Sequence, residues 1–286
     1  MFLFAGDTFF FHGGVHETAL GWVPPSKLHR SGYFADTVQL WCSGLALFHH
    51  EEMTAFLASA YGQEKSYAPF SEVGGYEHQD PGSRLMQYSM GSLPQGKLNR
   101  TICYDSFLAQ GSPEKPDEAV RTFLNRSGVI RTVTGHQPHG DAPLVITTPT
   151  LQVITGDTSY AQNVEWDLEY TGDCTALYEQ LKRQMLVGLS EQGAACQAGT
   201  RGNSIAEIVI FFNSETSEIL IHGITQAHLM YEFTANEFIG RCTVDGWWVK
   251  TLLQLDKKNV YMISKSEGRN VLNSLISESD LETRLM

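Results

Sequence analysis

The spacing of apolar positions along the chain separates predicted strands from predicted helices. Residues 2–5 and 8–11 are almost wholly apolar and flank Gly6-Asp7, which predicts a β-hairpin whose second strand is buried on both faces. Further short apolar runs, bounded by turn-forming residues, predict buried strands at 101–104, 129–133, 144–146 and 151–154.

Two stretches have helical spacing instead. Between residues 33 and 61 the apolar side chains recur every three or four positions, which predicts a long amphipathic helix. A shorter helix is expected to begin after Asp117, a favourable N-cap residue, and to end at Gly128. Residues 62–96 are rich in Gly, Ser and Pro with little periodicity, so we expect a long surface loop there.

The pattern changes after about residue 165. The spacing of Leu177, Leu181 and Met185 predicts one helix, and six strand-like runs follow it, at 206–212, 218–222, 229–233, 240–244, 247–253 and 260–263. Turns such as Asp245-Gly246 favour antiparallel pairing, either as the second sheet of a sandwich or as a small appended domain. We therefore predict an α/β (α+β) fold with one domain over residues 1–165 and an antiparallel β-rich part over residues 166–286.

Composition narrows the possible partners and the compartment. The 286 residues carry a net charge of −12, which gives no electrostatic drive toward nucleic acid or an anionic membrane. The five cysteines are widely spaced and form no Cys-x-x-Cys motif, so a disulfide framework or thiolate zinc site is not expected. The apolar start lacks the basic segment of a signal peptide. These features favour a cytoplasmic protein with no nucleic-acid or membrane partner.

Candidate chemistry lies in two histidine motifs. His12 follows a strand-like run and precedes Gly-Gly, and the segment Gly-His-Gln-Pro-His-Gly-Asp at 135–141 contains His136 and His139. Neutral imidazole is a good ligand for Zn, Mn or Fe, and two histidines at strand ends can meet at one edge of a sheet. His139 could reach a second metal or the substrate, and either Asp141 or Asp157 could accept the free ring N–H of a ligand histidine.

The order and spacing of these motifs resemble the later half of the catalytic domain of the calcineurin-like metallophosphoesterases, which include the serine/threonine phosphoprotein phosphatases. The resemblance covers roughly residues 1–165 and is carried by 8–15, 118–136 and 144–160. It implies part of a β-sandwich flanked by helices. It also implies a hydrolase that cleaves a small phosphoester or a phosphoprotein with a hydroxide activated at a binuclear Mn, Fe or Zn site.

The same resemblance implies roles for individual residues. His12 and His136 match two ligands of one metal, whereas His139 matches a second histidine of the family with a spacing one residue longer. Asp157 and Tyr160 lie in the turn that borders the substrate in relatives. Independently of the resemblance, Arg84 and Arg100 lie in or beside the predicted loop and could grip a phosphate group in bidentate fashion.

The chain also departs from the family. The motifs Asp-x-His, Gly-Asp-x-x-Asp and Gly-Asn-His, which supply the other ligands and a histidine acid, do not occur in the 286 residues. Two or three histidines alone do not hold a pair of metal ions, so we expect a truncated chain with little or no activity by itself. The alternative is a catalytically inactive, phosphatase-like module that binds a partner.

Overall fold

The structure, a computed structural model, has mixed α and β content and belongs to the α+β class. The predicted class is confirmed at this level. The residues that it describes are 2–59, 82–89, 101–103, 105–136, 138–158, 164–166, 204–212, 217–225, 229–234, 237–255, 258–267 and 270–285.

The chain divides into two compact units. The first comprises Met1–Ala5, Phe9–Ser106 and Pro116–Ile130, and the second Gly6–Thr8, Phe107–Lys115 and Arg131–Met286. The boundary expected at residue 165 falls inside the second unit, and the division of the sequence into folding domains stays a prediction.

The first unit is mainly helical. Its elements are β1 (Phe2–Ala5), β2 (Thr8–Phe11, whose first residue is grouped with the second unit), a 3-10 helix (Glu17–Ala19), β3 (Trp22–Val23), β4 (Tyr33–Phe34), α1 (Val38–Ala58), α2 (Ser83–Ser89) and α3 (Glu118–Arg126). Strands β1 and β2 are neighbours in a sheet, as the apolar runs predicted.

Both predicted helices of this unit are confirmed. Helix α1 begins after Thr37, whose hydroxyl accepts a hydrogen bond from the Leu40 amide at 3.3 Å, and it buries a stripe that includes Trp41. The Trp41 ring packs edge-on against Phe123 of α3, with ring centroids 5.8 Å apart. Helix α3 begins after Asp117, although that side chain makes no capping hydrogen bond, and it ends before Gly128 at φ 79°.

Two predictions for this unit were wrong. Helix α2 interrupts the stretch expected to be a loop, because Tyr88 is buried and packs against Phe48 of α1 with ring centroids 6.0 Å apart. Residues 101–103 form a turn rather than a strand. The carbonyl of Ile102 accepts a hydrogen bond from the Gly13 amide at 2.7 Å, so this segment is bound to the loop after β2 and not to a strand ladder.

The second unit is mainly β-structure. Its elements are β5 (Leu108–Ala109), β6 (Ser112–Pro113), β7 (Arg131–Thr134), β8 (Leu144–Thr147), β9 (Gln152–Thr155), β10 (Val164–Trp166), β11 (Ile205–Phe212), β12 (Ser217–Ile224), β13 (Met230–Thr234), β14 (Trp248–Leu255), β15 (Lys258–Glu267), β16 (Asn270–Ser277) and α4 (Glu278–Leu285). The predicted strands at 129–133, 144–146 and 151–154 are confirmed as β7, β8 and β9 within one or two residues.

The described strands of this unit pair in four groups, of which the smallest is the antiparallel pair β5–β6. Strand β7 runs parallel to β9, which is antiparallel to β8. Strands β11, β12 and β13 form an antiparallel sheet, and the remaining sheet has the order β10-β16-β15-β14, antiparallel except for the β10–β16 pair. The predicted antiparallel pairing of the C-terminal strands is therefore confirmed. We call β14, β15 and β16 the C-terminal sheet.

Sequence reasoning also erred in this unit. The strand expected at 240–244 is a turn with a single bridge between Cys242 and Trp248, because Gly240 has φ 80° and the Thr243 amide donates back to the Trp247 carbonyl at 2.7 Å. Strand β16 and helix α4 were not predicted. The helix expected around 177–185 lies outside the described residues.

One apolar core joins the strands of the second unit. Val145 of β8 and Ile154 of β9 belong to the same buried cluster as Ile221, Ile263 and Ile276 of the later strands. The segment that follows β7 is therefore part of the same packed body as the C-terminal sheet. Among the described residues, no helix combines the length and the apolar character that crossing a membrane requires.

Candidate functional site

The best-supported site lies at one edge of the β7–β9 pair. The two strands are parallel with Thr134 opposite Thr155, and the Gly156 amide donates to the Thr134 carbonyl at 2.8 Å, extending the ladder by one residue. His136 follows the end of β7 by two positions, and Asp157 follows the end of β9 by two positions. Because the carboxyl ends of parallel strands lie at the same edge of a sheet, His136 and Asp157 both follow strands that end at this edge.

The backbone at His136 has an unusual conformation. Its φ is 72°, in the left-handed region that non-glycine residues seldom occupy. Such backbones persist only where the surrounding structure holds them, and they are concentrated at functional sites. His136 and Asp157 are both half-buried, so the edge is partly accessible to solvent.

Three residues after His136, the side chain of His139 is buried at 1% exposure. Its Nε2 lies 3.0 Å from the Ser266 hydroxyl of β15, and its carbonyl oxygen accepts a hydrogen bond from Lys250 Nζ of β14. The other ring nitrogen, Nδ1, has no hydrogen-bond partner among the described residues. Burial, with a smaller contribution from Lys250, lowers the pKa of His139 well below 6.5, so this imidazole is neutral.

Lys250 is fully buried, at 0% exposure. Loss of hydration lowers its pKa from 10.5 to about 7, although the nearby Asp141 carboxylate opposes this shift. Asp141 is itself buried at 0% exposure and accepts a hydrogen bond from Asn273 Nδ2 of β16 at 2.9 Å. The side-chain Oδ1 of Asn273 in turn accepts a hydrogen bond from the Ser264 hydroxyl at 2.6 Å. Each strand of the C-terminal sheet thus contributes polar contacts to the segment 139–141.

Sequence reasoning missed these partners. Nothing local marks Ser264, Ser266 or Asn273, because their contacts depend on strands that are distant in the chain. Lys250 did leave a signal, since it is a lysine within the strand-like run at 247–253, at a position between Val249 and Thr251 that are both fully buried. A lysine enclosed in this way requires an acceptor, which is the His139 carbonyl.

The remaining predicted residues lie elsewhere. His12 is exposed and belongs to the first unit. Arg84, also in the first unit, pairs with Glu52 at 2.9 Å and stacks over the Phe48 ring, so its guanidinium is already engaged with α1. The role of Arg84 in binding substrate stays a prediction. Arg100 and Tyr160 lie outside the described residues.

A metal ion needs several donor atoms arranged around one point. The described residues include no group of three or more His, Cys, Asp or Glu side chains arranged to hold a metal ion. His136 and Asp157 follow strands that end at one sheet edge, and the buried His139 lies three residues after His136. Together these described residues supply only some of the ligands that a metal site needs.

Comparison with known proteins adds no further constraint. No protein-family model, curated protein or solved structure matches this chain.

Proposed function

We propose that this chain carries the later half of a metal-dependent phosphoesterase site, with His136 as a metal ligand and Asp157 as the carboxylate that supports it. The observation that carries the proposal is the shared edge of parallel strands β7 and β9, from which both residues emerge. The substrate class is a phosphomonoester, either small or on a protein. Mn, Fe and Zn are the ions that suit these donor atoms.

Each residue of the proposal has a definite task. A ligating histidine binds metal through one ring nitrogen and donates its other N–H to a carboxylate, which fixes the ring orientation; Asp157 is the acceptor in this proposal. His139 offers a second neutral ring in the same unit. The role of His12 as a ligand stays a prediction from the resemblance. Asp141, which accepts a hydrogen bond from Asn273, is the alternative carboxylate.

The proposal assigns this chain a share of the ligands and no hydrolytic step. A bound metal pair supplies an activated hydroxide and neutralises charge on the phosphate. The residues named here hold and orient imidazoles, and the described part of the chain contains no complete ligand set.

Binding of Mn²⁺ to the isolated chain tests the proposal. Paramagnetic Mn²⁺ broadens the NMR signals of nearby nuclei, so ring signals of His136 should disappear at lower Mn²⁺ concentrations than those of other histidines. His29 is the matched control, because it is exposed and its ring lies against Tyr33, with ring centroids 4.6 Å apart. The His136→Ala variant should lose the Mn²⁺ binding seen at this edge, and His29→Ala should retain it. Equal broadening of both histidines in the unmodified chain would contradict the proposal.

Hydrolysis gives a second test. With Mn²⁺ added, the purified chain should hydrolyse p-nitrophenyl phosphate negligibly, because its own residues do not complete a two-metal site. Robust hydrolysis that is lost in His136→Ala would support a phosphoesterase while overturning the assignment of only half a site.

A catalytically inactive interaction module is the second candidate function. It is favoured by the incomplete ligand set and by exposed apolar side chains on β11: Ile205 is 62% exposed, Phe211 54% and Phe212 49%. A module of this kind would show no preferential Mn²⁺ effect at His136, so the same titration separates the two candidates.

A further inference from the structure

We propose that Ser266 and Lys250 of the C-terminal sheet are positioning residues for His139. Ser266 holds the ring in its Nε2–H tautomer, which leaves Nδ1 unprotonated as a ligand atom must be, and Lys250 holds the main chain. The ligand role of Nδ1 rests on the proposed function. The tautomer and its cause do not, because they follow from contacts within the second unit alone.

The tautomer follows from the single proton of the Ser266 hydroxyl. Ser266 Oγ donates to the Gly111 carbonyl at 2.7 Å, and a carbonyl oxygen can only accept. The hydroxyl therefore has no proton left for His139 and accepts at 3.0 Å from Nε2, which carries the ring proton. In a neutral imidazole Nδ1 then has a lone pair and no proton.

The backbone of His139 is fixed from a second strand. Lys250 Nζ donates to the His139 carbonyl, and the Asp141 carboxylate two residues later attracts the same ammonium group. The side chain and the main chain of His139 are thus held by β15 and β14 respectively. Asn273 of β16 holds Asp141 from the other side through a 2.9 Å hydrogen bond.

Holding His139 with Nδ1 buried and without a hydrogen-bond partner among the described residues costs free energy, so a functional role for this atom is expected. A buried acceptor without a partner loses its hydration with nothing to replace it, and such atoms are rare in folded proteins. Nδ1 of His139 is such an atom among the described residues. A ligand histidine needs this arrangement, with one nitrogen protonated and bonded to the protein and the other bare. The C-terminal sheet therefore supports the histidine segment in addition to its contribution to the core.

Nitrogen NMR of the full chain in metal-free buffer tests the proposal. Protonated and bare ring nitrogens have well-separated ¹⁵N shifts, so the unmodified chain should show His139 with Nε2 protonated and Nδ1 bare. In Ser266→Ala, Nε2–H loses its acceptor, and the two ¹⁵N shifts should move toward each other as the tautomers mix. Ser266→Thr keeps the hydroxyl and should restore the original shifts.

Ser274→Ala is the matched control. Ser274 is a buried serine of β16, at 1% exposure, whose hydroxyl has no hydrogen-bond partner among the described residues. This variant should leave the His139 shifts unchanged. The proposal is overturned if the unmodified chain shows Nδ1 protonated, or if folded Ser266→Ala keeps the original shifts. Circular dichroism establishes that each variant is folded.

These readouts require neither metal nor substrate. An altered His139 tautomer in Ser266→Ala, together with no preferential Mn²⁺ effect at His136, would uphold the positioning role and reject the proposed function. An unchanged His139 tautomer in folded Ser266→Ala, together with a preferential Mn²⁺ effect at His136, would reject only the positioning role.

Discussion

The buried lysine predicts an unusual dependence of stability on pH. Lys250 has its pKa lowered from 10.5 to about 7 by burial. Above pH 7 the folded chain releases this proton, whereas the unfolded chain retains it up to about pH 10. Because the unfolded state then binds more protons, the free energy of unfolding rises with pH through this window.

The size of the effect can be worked out over a limited range. From pH 7.0 to 8.5, a group with a folded pKa near 7 and an unfolded pKa near 10.5 adds about 2 kcal/mol to the free energy of unfolding. The range ends there because burial raises the pKa of Cys42 from 9.0 to about 12, and above pH 8.5 that shift makes stability fall with pH. The range begins at pH 7 because burial holds the pKa of His139 in the folded chain well below 6.5, so His139 stays neutral throughout the range.

Urea denaturation, followed by tryptophan fluorescence at four pH values between 7.0 and 8.5, measures the slope. The unmodified chain should gain about 2 kcal/mol across the range, and Lys250→Met should gain little. Lys258→Met, at an exposed position on β15, should keep the gain. The reasoning is refuted if Lys250→Met shows the same rise as the unmodified chain, whichever variant is more stable overall.

Two further predictions concern the packing of the first unit. Leu124→Ala removes a side chain with 0% exposure from α3 and should lower the free energy of unfolding by about 2–5 kcal/mol in urea denaturation. Leu40→Ala on α1, where the side chain is 56% exposed, should change it by less than about 1 kcal/mol, and equal effects would contradict the assigned core. Gly13→Ala introduces a Cβ only 2.6 Å from the Asp105 carbonyl oxygen and 2.8 Å from that of Cys103. It should lower the melting temperature by several degrees, and an unchanged melting curve would show that residues 101–103 and Asp105 do not lie against this loop.

Local signals in the sequence were sufficient to predict several of the helices and strands. Helices α1 and α3 were predictable from their apolar spacing, and for α3 the end residues Asp117 and Gly128 indicated the boundaries as well. The strand-like run at 101–104 was misleading, since the contact of Ile102 with Gly13 outweighs a local preference for extended backbone. The turn at 240–244 shows the same effect, produced there by the positive φ of Gly240.

The candidate site was predictable only in part. His136 and Asp157 were identified as candidates from the strands that precede them, but the parallel register that brings them to one edge depends on pairing over distance. The supporting contacts of His139 connect residues 111 and 127 positions apart, and that of Asp141 spans 132. No periodicity or motif in one sequence encodes such pairs, because they arise from the packing of whole strands.

The central claim is that the edge formed by β7 and β9 binds a metal ion through His136. Anomalous X-ray diffraction at the manganese absorption edge, from crystals of the chain grown with Mn²⁺, tests it most directly. The account predicts an anomalous peak about 2.0–2.3 Å from a ring nitrogen of His136, a typical distance for a metal–histidine bond. Fully occupied manganese at other residues, with no peak at His136, would contradict it.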